Sequence, residues 1–169
     1  MAVTAHSLTA DASRQIVISR TFDAPRSLVW KAWTDPAVLP QWWGPKGCTT
    51  TVVAMDVRVG GVFHLEMHVA DGSIHPCHGQ FREIVEPQRI VLFGTAHDGS
   101  PCGAGLPPQS IVTLTFEETN GHTTLTMTTQ LRSASDRSAA VAAGFDEGWG
   151  ASFDALAGQL AAATSPPAS

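Results

Sequence analysis

The sequence predicts an α+β domain, a curved antiparallel sheet of about seven strands wrapped round one long C-terminal helix. Three observations carry that prediction. Runs of alternating apolar and polar residues begin at Gln15 and recur to about Gln130. An Asn120-Gly121 pair joins two of these runs. From about Ser135 the apolar period lengthens from two to three or four, the spacing of a helix face.

The first strand is QIVISRTFD, in which Ile16, Ile18, Arg20 and Phe22 share one face. Pro25 then opens a short helix carrying Leu28, Val29, Ala32 and Trp33 on one side. Asp35 and Pro36 have the chemistry of an N-cap and first helical position, so a second short helix is expected up to Trp42-Trp43, ending at Gly44-Pro45. Next come TTTVVAMDVRV, a Gly60-Gly61 pair, and VFHLEMHVA with Phe63, Leu65, Met67 and Val69 on one face. Asp71-Gly72 turns the chain into a strand holding Phe81, which ends near Pro87, and RIVLFGTA follows as a mostly apolar strand.

A two-residue turn at Asn120-Gly121 sets Phe116 opposite Leu125, Leu114 opposite Met127 and Val112 opposite Thr129. Apolar side chains then meet on one face, which checks the register internally. Beyond Ser135, the residues Val141, Phe145, Trp149, Phe153, Leu156 and Leu160 form a single stripe. They predict one helix of about 28 residues, roughly 42 Å long at 1.5 Å per residue. The domain is expected to span residues 14–162, with 1–13 and 163–169 as disordered tails of small, polar and Pro-rich composition.

A formal charge of −5 argues against a nucleic-acid partner, whose phosphates call for a basic face. The opening MAVTAHSLTADAS has no basic segment followed by an apolar one, and no apolar run is long enough to cross a bilayer. Cys48, Cys77 and Cys102 are odd in number and far apart, which excludes a complete disulfide framework and a CxxC zinc site. A reduced, cytoplasmic protein without membrane insertion is expected.

Four segments in order resemble the SRPBCC (START-like) superfamily, specifically its activator of heat-shock-protein-90 ATPase homologue-like branch. They are FDAPRSLVWKAWTDPAVLPQWWGP (Phe22 to Pro45), the Asp56–Phe63 stretch, GQFREIVEPQRIVL (Gly79 to Leu92) and GFDEGWGASFDALAGQL (Gly144 to Leu160). The resemblance implies the helix-grip fold and a cavity between the sheet and the long helix. It implies architecture more than function, because the superfamily includes carriers, cyclases, receptors and co-chaperone domains. One departure is the long, Gly- and Pro-rich His97–Pro108 stretch, readable as a surface insertion or as a lid bringing His97, Cys102 and Leu106 to a ligand.

The expected function is binding of a small hydrophobic molecule, without a cofactor. The cavity would be lined by Phe63, Leu65, Met67, Phe81, Phe93, Leu114, Phe145, Trp149 and Phe153. Arg20 shares the inward parity of the first strand, and would either pair with a carboxylate such as Glu83, meet an anionic ligand group or reach solvent with its head. An enzyme of cyclase or hydrolase type would draw on Arg20, His75, Glu83 or His97. A co-chaperone-like interaction module is the third reading, and a homodimer stays open.

No metal site is expected. His64, Glu66 and His68 form H-x-E-x-H on one strand, but their outer ends lie roughly 13 Å apart, beyond the reach of one zinc ion. Pairing Phe63 with Phe81 would set Glu66 opposite His78, a conceivable metal site with His64 or His68, but on a face that reads as wetted, so metal binding is kept only as a minor alternative. Cys77 and His75 have inward parity, Cys77 as a small core residue. Asp56 and Arg58 read as a turn-stabilising pair. Gly144, Gly148 and Gly150 would leave room beside Phe145 and Trp149 within the closing helix, for close packing or for a ligand.

Overall fold

The computed structural model describes residues 12–44, 47–95 and 109–164. A 3₁₀ turn at Ala12–Arg14 leads into β1 (Gln15–Phe22), helix α1 (Arg26–Thr34) and a second 3₁₀ turn at Leu39–Gln41. Six strands follow: β2 (Thr49–Met55), β3 (Val62–His68), β4 (Ile74–Val85), β5 (Arg89–Gly94), β6 (Ile111–Thr119) and β7 (His122–Gln130). Helices α2 (Ala134–Ala142) and α3 (Phe145–Thr164) close the chain.

The strands form one seven-stranded sheet in the order β1-β7-β6-β5-β4-β3-β2. Every neighbouring pair is antiparallel. Because β1 and β2 are opposite edges, α1 and the 3₁₀ turn between them must cross the sheet's inner face, where α3 also lies. The sheet therefore has one dry face, and inward residues alternate with wetted ones along β3, β6 and β7. This is the helix-grip architecture expected from the sequence.

The β6–β7 register is the one anticipated, with Phe116 opposite Leu125, Leu114 opposite Met127 and Val112 opposite Thr129. Asn120 and Gly121 both take positive φ, 54° and 80°, as a two-residue turn of this kind requires. The β3–β4 register differs from the expectation by two residues. Phe63 lies opposite Gly79 rather than Phe81, so His64 rather than Glu66 faces His78. The cause is the loop: Val69 N–H donates to the Ser73 carbonyl at 2.9 Å, leaving Ala70, Asp71 and Gly72 outside the ladder.

The long closing helix is two helices. The chain takes φ of +88° at Gly144, and the Gly144 N–H donates to the Val141 carbonyl at 3.1 Å, ending α2. Val141, a member of the expected stripe, is 40% exposed, whereas the neighbouring Ala140 is buried. The second short helix is also reduced, to a turn and three 3₁₀ residues. Asp35 still organises it, its carboxylate accepting from the Ala37 N–H at 2.9 Å and its carbonyl from the Leu39 N–H at 2.9 Å.

Ordered structure also reaches slightly into the expected tails, through Ala12 and Thr164. The remainder of both tails, and the His97–Pro108 stretch with His97, Cys102 and Leu106, lie outside the described residues. No helix among the described residues is long and apolar enough to cross a membrane.

Candidate functional site between sheet and helix

Inward residues of the strands meet α1 and α3 in one aromatic cluster. Helix α1 presents Trp33, which stacks on Trp149 of α3 with ring centroids 5.9 Å apart. Trp43, just after the 3₁₀ turn, meets Trp149 edge to face at 4.8 Å and Phe63 of β3 at 5.5 Å. Phe63 in turn meets Phe81 of β4 at 5.8 Å, and Phe153 of α3 meets Phe22 of β1 at 6.1 Å. Such edge-on and offset contacts are each worth about 0.5–1.5 kcal/mol beyond the area they bury.

The Trp42–Gly44 segment is held on both sides. Thr50 Oγ1 of β2 donates to the Trp43 carbonyl at 2.7 Å, and Trp42 Nε1 donates to the Ala32 carbonyl at 3.0 Å. From α3, Ser152 Oγ accepts from the Gly44 N–H at 3.1 Å and donates to the Gly148 carbonyl at 3.1 Å. Gly44 has φ of +104°, and a Cβ there would stand 3.2 Å from Thr50 Oγ1, so glycine suits both the turn and the approach.

Three polar atoms in this cluster are left over. Trp33, Trp43 and Trp149 are each at most 2% exposed, and their indole Nε1 atoms are buried without a hydrogen-bond partner. The other buried polar side chains among the described residues are hydroxyls: Thr50, Ser110, Thr123, Thr129 and Ser152. Beside the cluster opens a cleft of about 420 Å³, whose walls include Pro40, Trp42, Trp43, Cys48, Ala151 and Asp154. Trp43 thus belongs both to the cleft wall and to the aromatic cluster.

Of the residues expected to line a cavity, Phe63, Leu65, Met67, Phe81, Leu114, Phe145, Trp149 and Phe153 are all buried in this core. Phe93 is not. It pairs with Gln80 while Leu92 pairs with Phe81, so Leu92 faces inward and Phe93 outward, beneath the Arg82 guanidinium at 4.4 Å. Arg20 does turn towards the helix side, where its guanidinium pairs with Asp154 of α3. Glu83, suggested as its partner, pairs instead with Arg89 across the β4–β5 hairpin at 3.3 Å.

Other sequence readings find their places. Cys77 is a fully buried thiol outside any disulfide, opposite Leu65, and His75 lies opposite Met67 near the strand end. Arg58 Nε donates to Asp56 at 2.6 Å in the tight turn before β3. Gly61 there admits no side chain, because a Cβ would lie 1.9 Å from the Asp56 carbonyl oxygen. Gly150 faces open space rather than a close backbone. Sequence reasoning missed Trp33 and Trp43 as site residues. Their WKAW and WWG settings read as ordinary core, and only the fold brings their indole rings beside that of Trp149.

Comparison with known proteins agrees with this architecture. Protein NE0264 from Nitrosomonas europaea is similar at 24% identity, with 90% of this chain and 97% of that one covered and a TM-score of 0.79. Protein Ms6760 from Mycobacterium smegmatis is similar at 25% identity, with coverages of 90% and 94% and a TM-score of 0.78. The AHSA1 protein from Silicibacter pomeroyi is similar at 22% identity, with coverages of 88% and 99% and a TM-score of 0.69. No curated protein matches the chain. The family described as Activator of Hsp90 ATPase homolog 1-like protein matches residues 23–161, most of the sequence, and the chain belongs to that family.

Proposed function

We propose that this protein binds a small, largely apolar molecule carrying hydrogen-bond acceptors, held between the sheet and α3 and reached through the cleft beside Trp43. The observation that carries this reading is the trio of buried indole N–H groups without acceptors. Leaving a buried donor unsatisfied costs about 1–3 kcal/mol. A neighbouring ring face returns only part of that, since N–H···π contacts are second-order. Three such donors in one apolar cluster suit a ligand that brings its own oxygen atoms and buries its carbon frame among aromatic rings.

Binding, rather than acid–base catalysis, is favoured by what surrounds the donors. General acid–base chemistry needs an ionisable group within reach of the reacting atom; the fully buried polar side chains described here are indoles and hydroxyls with one thiol at Cys77, and the carboxylate in the cleft wall, Asp154, is engaged by Arg20. The cytoplasm remains the proposed location, in keeping with Cys48 and Cys77 lying outside any disulfide and with the sequence reading.

The test uses 1-anilinonaphthalene-8-sulfonate, an aromatic probe with acceptor oxygens, and native mass spectrometry of the freshly purified protein. The folded protein should enhance probe fluorescence while its own tryptophan emission is quenched. Trp43→Phe and Trp149→Phe keep a ring but remove the donor, and each should weaken binding several-fold. Equal affinity in both variants, or no probe binding to the folded chain, would sink the reading.

A further inference from the structure

We propose that His64 and His78 form a two-histidine site for a divalent first-row transition-metal ion on the outer face of the β3–β4 hairpin. The two residues are direct cross-strand partners, and their rings stack at 3.8 Å with 26° between planes. Two metal–nitrogen bonds of about 2.0–2.1 Å span up to about 4 Å between nitrogens. The two rings are close enough to share one ion once rotation about the soft χ2 torsions turns a nitrogen of each towards it. The outer ends of H-x-E-x-H on one strand lie too far apart for that, whereas the pair across two strands is adjacent.

Three further features suit the site. His64 Nε2 is buried and makes no hydrogen bond, so one imidazole nitrogen is unspent. Glu66, two residues along β3, is close enough to act on the His64 charge, and it adds negative potential for a cation. Ala54 on β2 pairs with His64 from the other side, so the side chain paired with it there is no larger than a methyl group.

Among the described residues no group of three or more His, Cys, Asp or Glu side chains gathers round one point. Water would complete the coordination, and the affinity order should follow Zn²⁺ and Ni²⁺ below Cu²⁺. This proposal is independent of the ligand between sheet and helix, because the histidines lie on the opposite face.

The test is calorimetric titration of the full chain with NiCl₂ and with CuSO₄ at neutral pH, repeated for His64→Gln, His78→Gln and His122→Gln. His122 lies at the start of β7, away from the pair, and pairs with Asp23. Losing one of two chelating imidazoles should weaken the tightest site by about tenfold or more. Each variant of the pair should do so, the double variant should lose little beyond either single one, and His122→Gln should leave binding unchanged. Electron paramagnetic resonance of the Cu²⁺ form should show two nitrogen ligands. If a glutamine variant fails to fold, the threonine variant at the same outer strand position replaces it. The proposal is overturned by wild-type protein that binds neither ion at millimolar metal, by pair variants that keep wild-type affinity, or by a loss in His122→Gln as large as theirs.

Discussion

The hairpins β6–β7 and β3–β4 stand in the same sheet and bury equivalent faces, yet their registers have different origins. In β6–β7 two residues with positive φ, Asn120 and Gly121, dictate the pairing locally. In β3–β4 only Gly72 of the loop has positive φ, at 91°, and Asp71 accepts from the Ser73 N–H at 2.8 Å to shape a three-residue connection. Burial alone restricts β3–β4 to shifts of two residues, because a shift of one would turn Phe63, Leu65 and Met67 to water. Packing thus sets the parity of a register, and the turn chooses among the registers that parity allows.

The largest test of that distinction removes the shared part, the packing. Leu114 of β6 and Leu65 of β3 are both 0% exposed. Leu114→Ala and Leu65→Ala should each cost about 2–5 kcal/mol, a range set by how far the cavity collapses. Urea unfolding of the two variants checks this. A cost below about 1 kcal/mol at either site would mean that its hairpin is held by its turn rather than by the core.

A smaller effect isolates the turns. A Cβ on Gly121 or on Gly72 would meet nothing within 4 Å, so alanine at either site is penalised only by its positive φ. Gly121→Ala and Gly72→Ala should therefore each cost about 1–2 kcal/mol in urea unfolding. If the β3–β4 loop can rearrange, Gly72→Ala will fall below that range while Gly121→Ala will not. Amide exchange would then show β3–β4 opening more readily than β6–β7.

The same contrast explains what could be read in the sequence and what could not. Alternation located the strands and assigned Phe63, Leu65, Met67 and Leu114 to the dry face, because one-sided burial writes itself directly into a period of two. Phe93 was misplaced because Ile90-Val91-Leu92-Phe93 is apolar throughout. Such a run carries no parity, and size then favours the wrong side chain. The break at Gly144 was hidden by the stripe itself, since Val141, Phe145 and Trp149 keep helical spacing straight across it. The Arg20–Asp154 pair, like the three neighbouring indoles, joins elements distant in sequence and has no local signature at all.

The smallest expected effect is a pH dependence arising where the β3–β4 register puts His64 against His78. Burial first, and the neighbouring His78 second, hold the His64 pKa below its ordinary value of 6.5, against a weaker opposing pull from Glu66. Below about pH 6.5 the unfolded chain binds a proton that the folded His64 resists, and wherever the unfolded state binds more protons stability rises with pH. The contribution of His64 is thus fully present above about pH 6.5 and is lost as pH falls through its folded pKa. In His64→Gln that part of the slope should vanish, while other titrating groups contribute as before. Urea midpoints of wild type and His64→Gln, measured in chelator between pH 7.5 and 5, should therefore converge as the pH drops. Parallel profiles would show that the stacked ring titrates as freely in the folded chain as in the unfolded one, and that β3–β4, unlike β6–β7, gains no new chemistry from its register.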